Sequence, residues 1–459
     1  MHTDSTALAS QSRPQQARRP LPSATRVRLA VLALGLAGAG ATQAFDFGPF
    51  SLTGFAKAEA LRVSNYCDNC QVVAGADKQF SWADQIGANK PYGAGNTHVT
   101  LFEPWLGAKF DLGKGFKLSG LLSQRWRDGK EDIPGFWYDR NIALSHEDYG
   151  SLRIGAMSTR AWSVADYPYG TNIGVADVWA SSGAGYGLLS QAVRYTSRIF
   201  DVLDGDLVLE ATYDRGNTAF KINKPRFWEL YAQFHKGELV VDAFYQDARN
   251  GNPQAWGHGP FKSLTPFPAD DVKLGPSGQS IAMVMARYNI DSRIEISGGL
   301  RRNRWSGAHA VITTQGPPND LWNNPFNVDW GGALDFPQAD GTTLRVNNPG
   351  YAAVSVDLMA GLRYKLGAWT AHTGLAYLGT ASTKNPSERG QSNSALVNTV
   401  GLNYTVLEGL QVYGMAGMVH YGRKGLSPMS MPGNSAFTNV DSRVSSNGNW
   451  FGLGALYVF

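Results

Sequence analysis

The sulfur chemistry open to this chain rests on two cysteines, Cys67 and Cys70, in the run C-D-N-C. In an oxidising compartment, thiols at this spacing close a local disulfide. With Asp68 or a nearby histidine they could instead contribute to a surface metal site. Two cysteines cannot fill a tetrahedral zinc site, and there is no second C-x-x-C. The redox use of the motif needs a βαβ context that is missing here. The 8 histidines are scattered, with none paired at helical metal spacing, and no Ser-His-Asp constellation stands out. Outside that cysteine pair, the residues indicate no catalysis, no cofactor and no bound metal. What remains is electrostatic: charged side chains recurring at every second position.

That recurrence needs β-strands, whose side chains alternate between two faces. In SRIEISGGLRRN, Arg293, Glu295, Ser297, Gly299, Arg301 and Asn303 share one face, opposite Ile294, Ile296 and Leu300. In DLVLEATYD, Asp206, Glu210, Thr212 and Asp214 oppose Leu207, Leu209, Ala211 and Tyr213. In FSLTGFAKAE, Ser51, Thr53, Phe55, Lys57 and Glu59 oppose Leu52, Gly54, Ala56 and Ala58. Sixteen such segments follow one another, and short links (G-K-G, E-D-Y-G, K-G, E-G) alternate with long ones. Alternating short turns and long loops suit an all-β transmembrane antiparallel β-barrel of sixteen strands. The charged face must meet water, because Arg or Lys on the lipid face costs about 2–4 kcal/mol at mid-membrane. The polar side of each strand is thus expected to line a wet lumen. Arg302 has lipid-facing parity near the rim, where it can snorkel.

Composition agrees. Gly 53, aromatics at 12% and charge at 17% suit many short strands, and a mean hydropathy of −0.25 excludes a bundle of membrane helices. Beyond the N-terminus no apolar run is long enough for a spanning helix. At the N-terminus, Arg18, Arg19, Arg26 and Arg28 precede an apolar run from Leu29 to Ala39, followed by A-T-Q-A. This is the pattern of a signal peptide, with cleavage expected after Ala44 and a single barrel domain over 45–459. Removal of 1–44 leaves basic and acidic residues equal at 36 each. The apparent basicity thus belongs to the signal, and no nucleic-acid partner is indicated. An exported chain with membrane-type strands and no helical anchor points to a Gram-negative outer membrane.

The final segment, NWFGLGALYVF, sets Phe451, Leu453, Ala455, Tyr457 and Phe459 on one face. It reads as the closing strand, and Tyr457 with Phe459 resembles the terminal signature that such barrels show to their assembly machinery.

Several stretches are similar to the Gram-negative trimeric general porins. YDRNIALSHEDYGSLRIG resembles that family's "G-S-L-x-x-G-R" hairpin, QAVRYTSRIF its "N-S-V-R-Y-x-S-P" strand, and LGAKFDLG its "L-G-F-K-G-x-x-D-L-G". The resemblance implies a sixteen-stranded barrel, a homotrimer, and a third long loop folded inward to narrow the pore. Here that loop is 161–190, with Asp166 and Asp177 as its carboxylates. The wall cations it implies opposite them are Lys57, Arg125, Arg127, Arg140 and Arg194, with Arg194 in the matching V-R-Y. Ile142 and Leu144, on the parity of Arg140, argue for the other face. The chain departs from the pattern at Trp105 and at Gly155-Ala156, where the family carries basic residues.

The expected function is a water-filled channel for passive diffusion of small hydrophilic solutes and ions. Trp322, Phe326 and Trp330 in LWNNPFNVDW leave open a pore selective for sugars or aromatic solutes. A plugged structural or adhesive barrel is the remaining alternative. The expected surroundings are outer-membrane lipid, two further copies of the chain and the barrel-assembly machinery.

Overall fold

In the computed structural model the described residues are 45–64, 95–131, 137–164, 188–215, 226–249, 264–266, 278–306, 308–311, 325–327, 331–337, 343–349, 353–379, 382–383, 394–421 and 447–459. Residues 1–44, expected to be a signal peptide, and Cys67, Cys70, Asp166, Asp177, Trp322 and Trp330 lie outside them.

The strands form the closed 16-strand antiparallel barrel that the alternation requires. The first eight are β1 (Phe50–Ser64), β2 (Gly95–Gly113), β3 (Phe116–Ser123), β4 (Asp139–His146), β5 (Gly150–Ser158), β6 (Leu188–Thr196), β7 (Gly205–Asp214) and β8 (Arg226–Lys236). The second eight are β9 (Leu239–Arg249), β10 (Gly278–Asn289), β11 (Ile294–Ser306), β12 (Ala353–Leu366), β13 (Trp369–Leu378), β14 (Ala395–Leu407), β15 (Leu410–Tyr421) and β16 (Asn447–Val458). Each pairs with its sequence neighbours, and β16 returns to β1 with Ala58 opposite Ala455. Closure leaves no unpaired edge, which a membrane would not tolerate. Phe459 completes the seam: its N–H donates to the Gly54 carbonyl (3.0 Å) and its carbonyl accepts from the Gly54 N–H (2.9 Å). A Cβ at Gly54 would stand 2.4 Å from the Glu103 carbonyl oxygen, so the closely packed seam requires glycine there.

The two faces are inverted relative to a water-soluble protein. Outward residues are apolar and exposed, as at Ile142 (60%), Leu230 (53%) and Leu453 (57%). Aromatic side chains frame this belt: Tyr213 and Trp228 meet at 4.4 Å near the long-loop end, and Trp369 and Tyr404 at 4.7 Å near the short-turn end. On β9 and β10, Tyr245 lies opposite Ala282, and Tyr288 is reached six residues further on. That is roughly 20 Å at about 3.3 Å per residue, close to the height of a lipid-facing band. Inward residues include buried Lys57, Glu59, Glu103, Arg194, Glu210 and Arg301, as the alternation demands.

The expected inward loop differs at both edges. A short helix, α1 (Arg160–Val164), follows β5, and β6 already begins at Leu188. The register slips between Gly155 and Met157. Gly155 sits at φ +130°, where a Cβ would meet the Arg140 carbonyl oxygen at 2.2 Å. This bulge turns Met157 into an apolar cluster with Leu189, Ala192, Phe227 and Ala248. The chain leaves the wall for α1 directly after it.

Candidate functional site in the barrel lumen

The short helix α1 is held by two carboxylates from neighbouring strands. Glu229 on β8 accepts the backbone N–H groups of Arg160 (2.8 Å) and Ala161 (3.0 Å), and also Gln246 Nε2 (2.6 Å). Glu210 on β7 takes the Arg160 guanidinium in a two-pronged contact, at 2.5 Å and 2.9 Å, together with the Thr196 hydroxyl at 2.7 Å. Such forked pairs fix direction as well as charge. Burial acts to discharge Arg160, but the carboxylate of Glu210 overrides it and raises the arginine above its ordinary pKa. Arg194 on β6 sits between the two acids, donating to Thr212 Oγ1 and the Ser158 carbonyl at 2.8 Å each. It lies 3.6 Å from Glu229 and 3.9 Å from Glu210.

Several other wall charges are matched in the same way. Glu103 accepts from Trp105 Nε1 (2.9 Å), Ser123 Oγ (3.0 Å) and Arg125 Nε (2.5 Å), while the Arg125 guanidinium covers the Tyr138 ring at 4.5 Å. Lys57 faces Glu59 at 3.4 Å, and Glu59 also takes the Tyr413 hydroxyl. Across the lumen, Arg301 is fully buried and grips Asp357 at 2.6 Å and 2.9 Å. Asn303 Nδ2 and the Gly379 N–H add to the same carboxylate. Nearer the short-turn end, Glu295 is shared by Arg363 (3.0 Å) and Arg287 (3.8 Å).

Arg153 is not matched in this way. It stands directly across from Arg194 in the register, an unfavourable like-charge pairing. Its guanidinium donates to Asn141 Oδ1 at 2.6 Å, and among the described residues no carboxylate lies within ion-pair distance of it. Half-exposed on the inner face, it reaches the Asp139 carboxylate only through Asn141, whose Nδ2 donates to Asp139 Oδ1 at 3.1 Å.

Of the five wall cations expected, Lys57, Arg125 and Arg194 point inward and are buried. Arg127 lies opposite Leu101 on the inward row and is half-buried. Arg140 requires a correction. It is exposed on the outer face together with Ile142 and Leu144. The alternation of β4 governs its direction, because an inward Arg140 would turn both apolar neighbours into the lumen. Trp105, which replaces a basic residue of the related pattern, is a hydrogen-bond donor to Glu103. Glu229, Gln246 and Arg160 were not singled out by the sequence. The signal for Glu229 was present, since it falls at the polar step of RFWELYAQFH, but Phe227 and Tyr231 share its face and hide the alternation.

No protein-family model and no curated protein matches this sequence. Solved structures do. The chain is similar to the anion-selective porin from Comamonas acidovorans, at 12% identity and TM-score 0.54 over 89% of this chain and 99% of that one. It is similar to OmpT, an outer membrane protein of Vibrio cholerae, at 12% identity and TM-score 0.53 over 91% and 100%. The outer membrane channel DcaP of Acinetobacter baumannii matches at 12% identity and TM-score 0.50 over 89% and 97%. The fold is therefore that of the outer-membrane porins, with sixteen strands and nearly full-length coverage on both sides.

Proposed function

We propose that the protein is a passive channel of the Gram-negative outer membrane, through which small hydrophilic solutes and ions diffuse. The observation that carries this is the inversion of the barrel: an apolar belt outside, and paired charges with Arg153 inside. A closed barrel with that outer surface is stable only in lipid, and its polar interior offers water and ions a path. The reading includes export through segment 1–44 and assembly by the barrel-assembly machinery. It includes no catalytic step, metal or cofactor. Residues 161–190, with Asp166 and Asp177, narrow the lumen from their root at Glu210 and Glu229. The pair Cys67 and Cys70 forms a loop disulfide.

The homotrimer belongs to the same proposal. Vibrio cholerae OmpT, also solved in a trimer form, matches there at 14% identity and TM-score 0.53. On this chain, small outward residues Ala56, Ala58 and Ala455 open an apolar groove of about 680 Å³ beside Phe102, Trp126 and Tyr457. Large side chains of a second copy would fill it.

Single-channel recording of the purified protein in a planar bilayer under a salt gradient tests the reading. Steady conductance arriving in steps of three supports a trimeric channel, and a shifted reversal potential in Asp177→Asn supports loop 161–190 as the narrowing. Absence of steady conductance overturns the channel.

A further inference from the structure

Towards the short-turn end of the lumen, the inner wall of β10, β11 and β12 carries more positive charge than it neutralises. Arg287, Glu295, Arg363 and Lys365 all fall on the inward parity of these strands. Glu295 stands directly opposite Arg363 in the register, at 3.0 Å, and also takes Arg287 at 3.8 Å. Lys365 follows two residues after Arg363, is exposed, and feels the charges of Arg363, Glu295 and Arg287. Three cations thus surround one carboxylate. Arg287 Nε is buried and has no hydrogen-bond partner. The nearby acids are engaged elsewhere or lie outside the strands. Asp242 on β9 accepts from the Tyr231 hydroxyl (2.7 Å) and Gln233 Nε2 (2.9 Å). Asp291 accepts the turn N–H groups of Arg293 and Ile294, while Glu238 and Glu408 are exposed in other turns.

The wall beside these cations is polar and low. His372 lies across from Arg363, its Nε2 meets Asn403 Oδ1 at 3.3 Å, and Asn403 Nδ2 donates to Gln411 Oε1 at 3.3 Å. Gly361, Gly374 and Gly401, on the same face, carry no side chain to fill the space between these groups. Guanidinium and ammonium groups in surplus fit an oxyanion, whereas amide and imidazole groups hydrogen-bond hydroxyls. We propose that Arg287, Arg363 and Lys365, with His372, Asn403 and Gln411, form a binding subsite for a small phosphate monoester that also carries hydroxyl groups. Its phosphate sits on the three cations, where Arg287 Nε gains its missing acceptor, and its hydroxyls face the amide row. This rests on the channel reading and names the solute class that the reading left open.

The test is isothermal titration calorimetry of the detergent-purified full chain with β-glycerophosphate, and separately with glycerol and with inorganic phosphate. The proteins are wild type, the double variant R287Q/K365Q, and the single variants Lys365→Gln, Arg153→Gln and Arg140→Gln. Affinity for β-glycerophosphate should fall at least about tenfold in the double variant. It should fall more in Lys365→Gln than in Arg153→Gln, and not in Arg140→Gln on the outer face. Glycerol should bind wild type no better than β-glycerophosphate binds the double variant, and inorganic phosphate should bind more weakly than the ester. Equal affinity for ester and inorganic phosphate would show a site for the bare ion and overturn the hydroxyl contacts. Equal weakening by Lys365→Gln and Arg153→Gln would show a diffuse lumenal field and overturn the site. Absence of binding by wild type, or equal binding by every variant, would overturn it as well. If the double variant does not fold, Lys365→Gln decides on its own, because Lys365 is exposed and makes no ion pair among the described residues. Conductance recorded on the same preparations keeps the two readings apart. Binding without conductance would sink the channel, and conductance without binding would sink only the subsite.

Discussion

The arginines of the inner and outer faces obey different rules. Inward, Arg125, Arg160, Arg194, Arg301 and Arg363 each meet a carboxylate of a wall strand. Outward, Arg226 and Arg302 lie exposed at the long-loop ends of β8 and β11. A buried charge must be compensated within the protein, whereas a charge at the headgroup level is compensated by what surrounds it. The inner face thus stores its electrostatics internally, and the outer face leaves its own to be completed by lipid.

The largest effect expected from breaking this contrast is at Arg301. Arg301→Met alone strands the Asp357 carboxylate and should cost about 3–5 kcal/mol, read as a lowered urea midpoint in lipid vesicles. Arg301→Met with Asp357→Leu removes both charges and should recover most of that loss. A double variant as unstable as the sum of its singles would mean that the pair is not the compensating unit. Next comes Glu229→Ala, which leaves two backbone N–H donors without their acceptor at about 1–3 kcal/mol each. It should raise open-channel noise as the loop root loosens, with Glu229→Gln intermediate. Unchanged noise in both would detach the root from the pore.

A smaller effect separates the faces directly. Arg153→Gln removes a lumenal cation with no carboxylate in direct contact among the described residues and should shift the reversal potential toward cations. Arg140→Gln removes the same charge from the outer wall and should leave the potential unchanged. Equal shifts would end the inner–outer distinction. The smallest effect is at Asp291, in an exposed turn, where the N–H groups of Arg293 (2.7 Å) and Ile294 (2.8 Å) hold its pKa below the usual carboxylate value. A depressed pKa contributes stability above the unfolded value, and that stability is lost as pH falls through the folded one. The urea-midpoint gap between wild type and Asp291→Ala should therefore be present at pH 7 and close on acidification below about pH 4.

The strand alternation made the barrel and most of its lumen legible. Lys57, Glu59, Glu210 and Arg301 could be placed inward because each follows a period of two within a segment whose other face is apolar. Parity states the face, however, and not the cross-strand neighbour. That Arg160 would meet Glu210, fifty residues on, depends on the bulge at Gly155 and on the register of β6 with β7. Neither follows from side-chain type. On β8, both faces carry aromatic residues, so the polar step at Glu229 was hidden. At Arg140, a family likeness conflicted with local alternation, and alternation decided.

The seam between Gly54 and Phe459 has a consequence for biogenesis. Its partners lie about as far apart in the sequence as the barrel strands allow, so local folding cannot make it early. Until it forms, β1 and β16 remain open edges with unsatisfied amides, which hydrocarbon penalises heavily. The sheet therefore has to be sheltered, or held outside the hydrocarbon, until its two ends meet. Joining this one pair of strands turns an aggregation-prone ribbon into a ring, and it is the step an inhibitor of insertion would most profitably block.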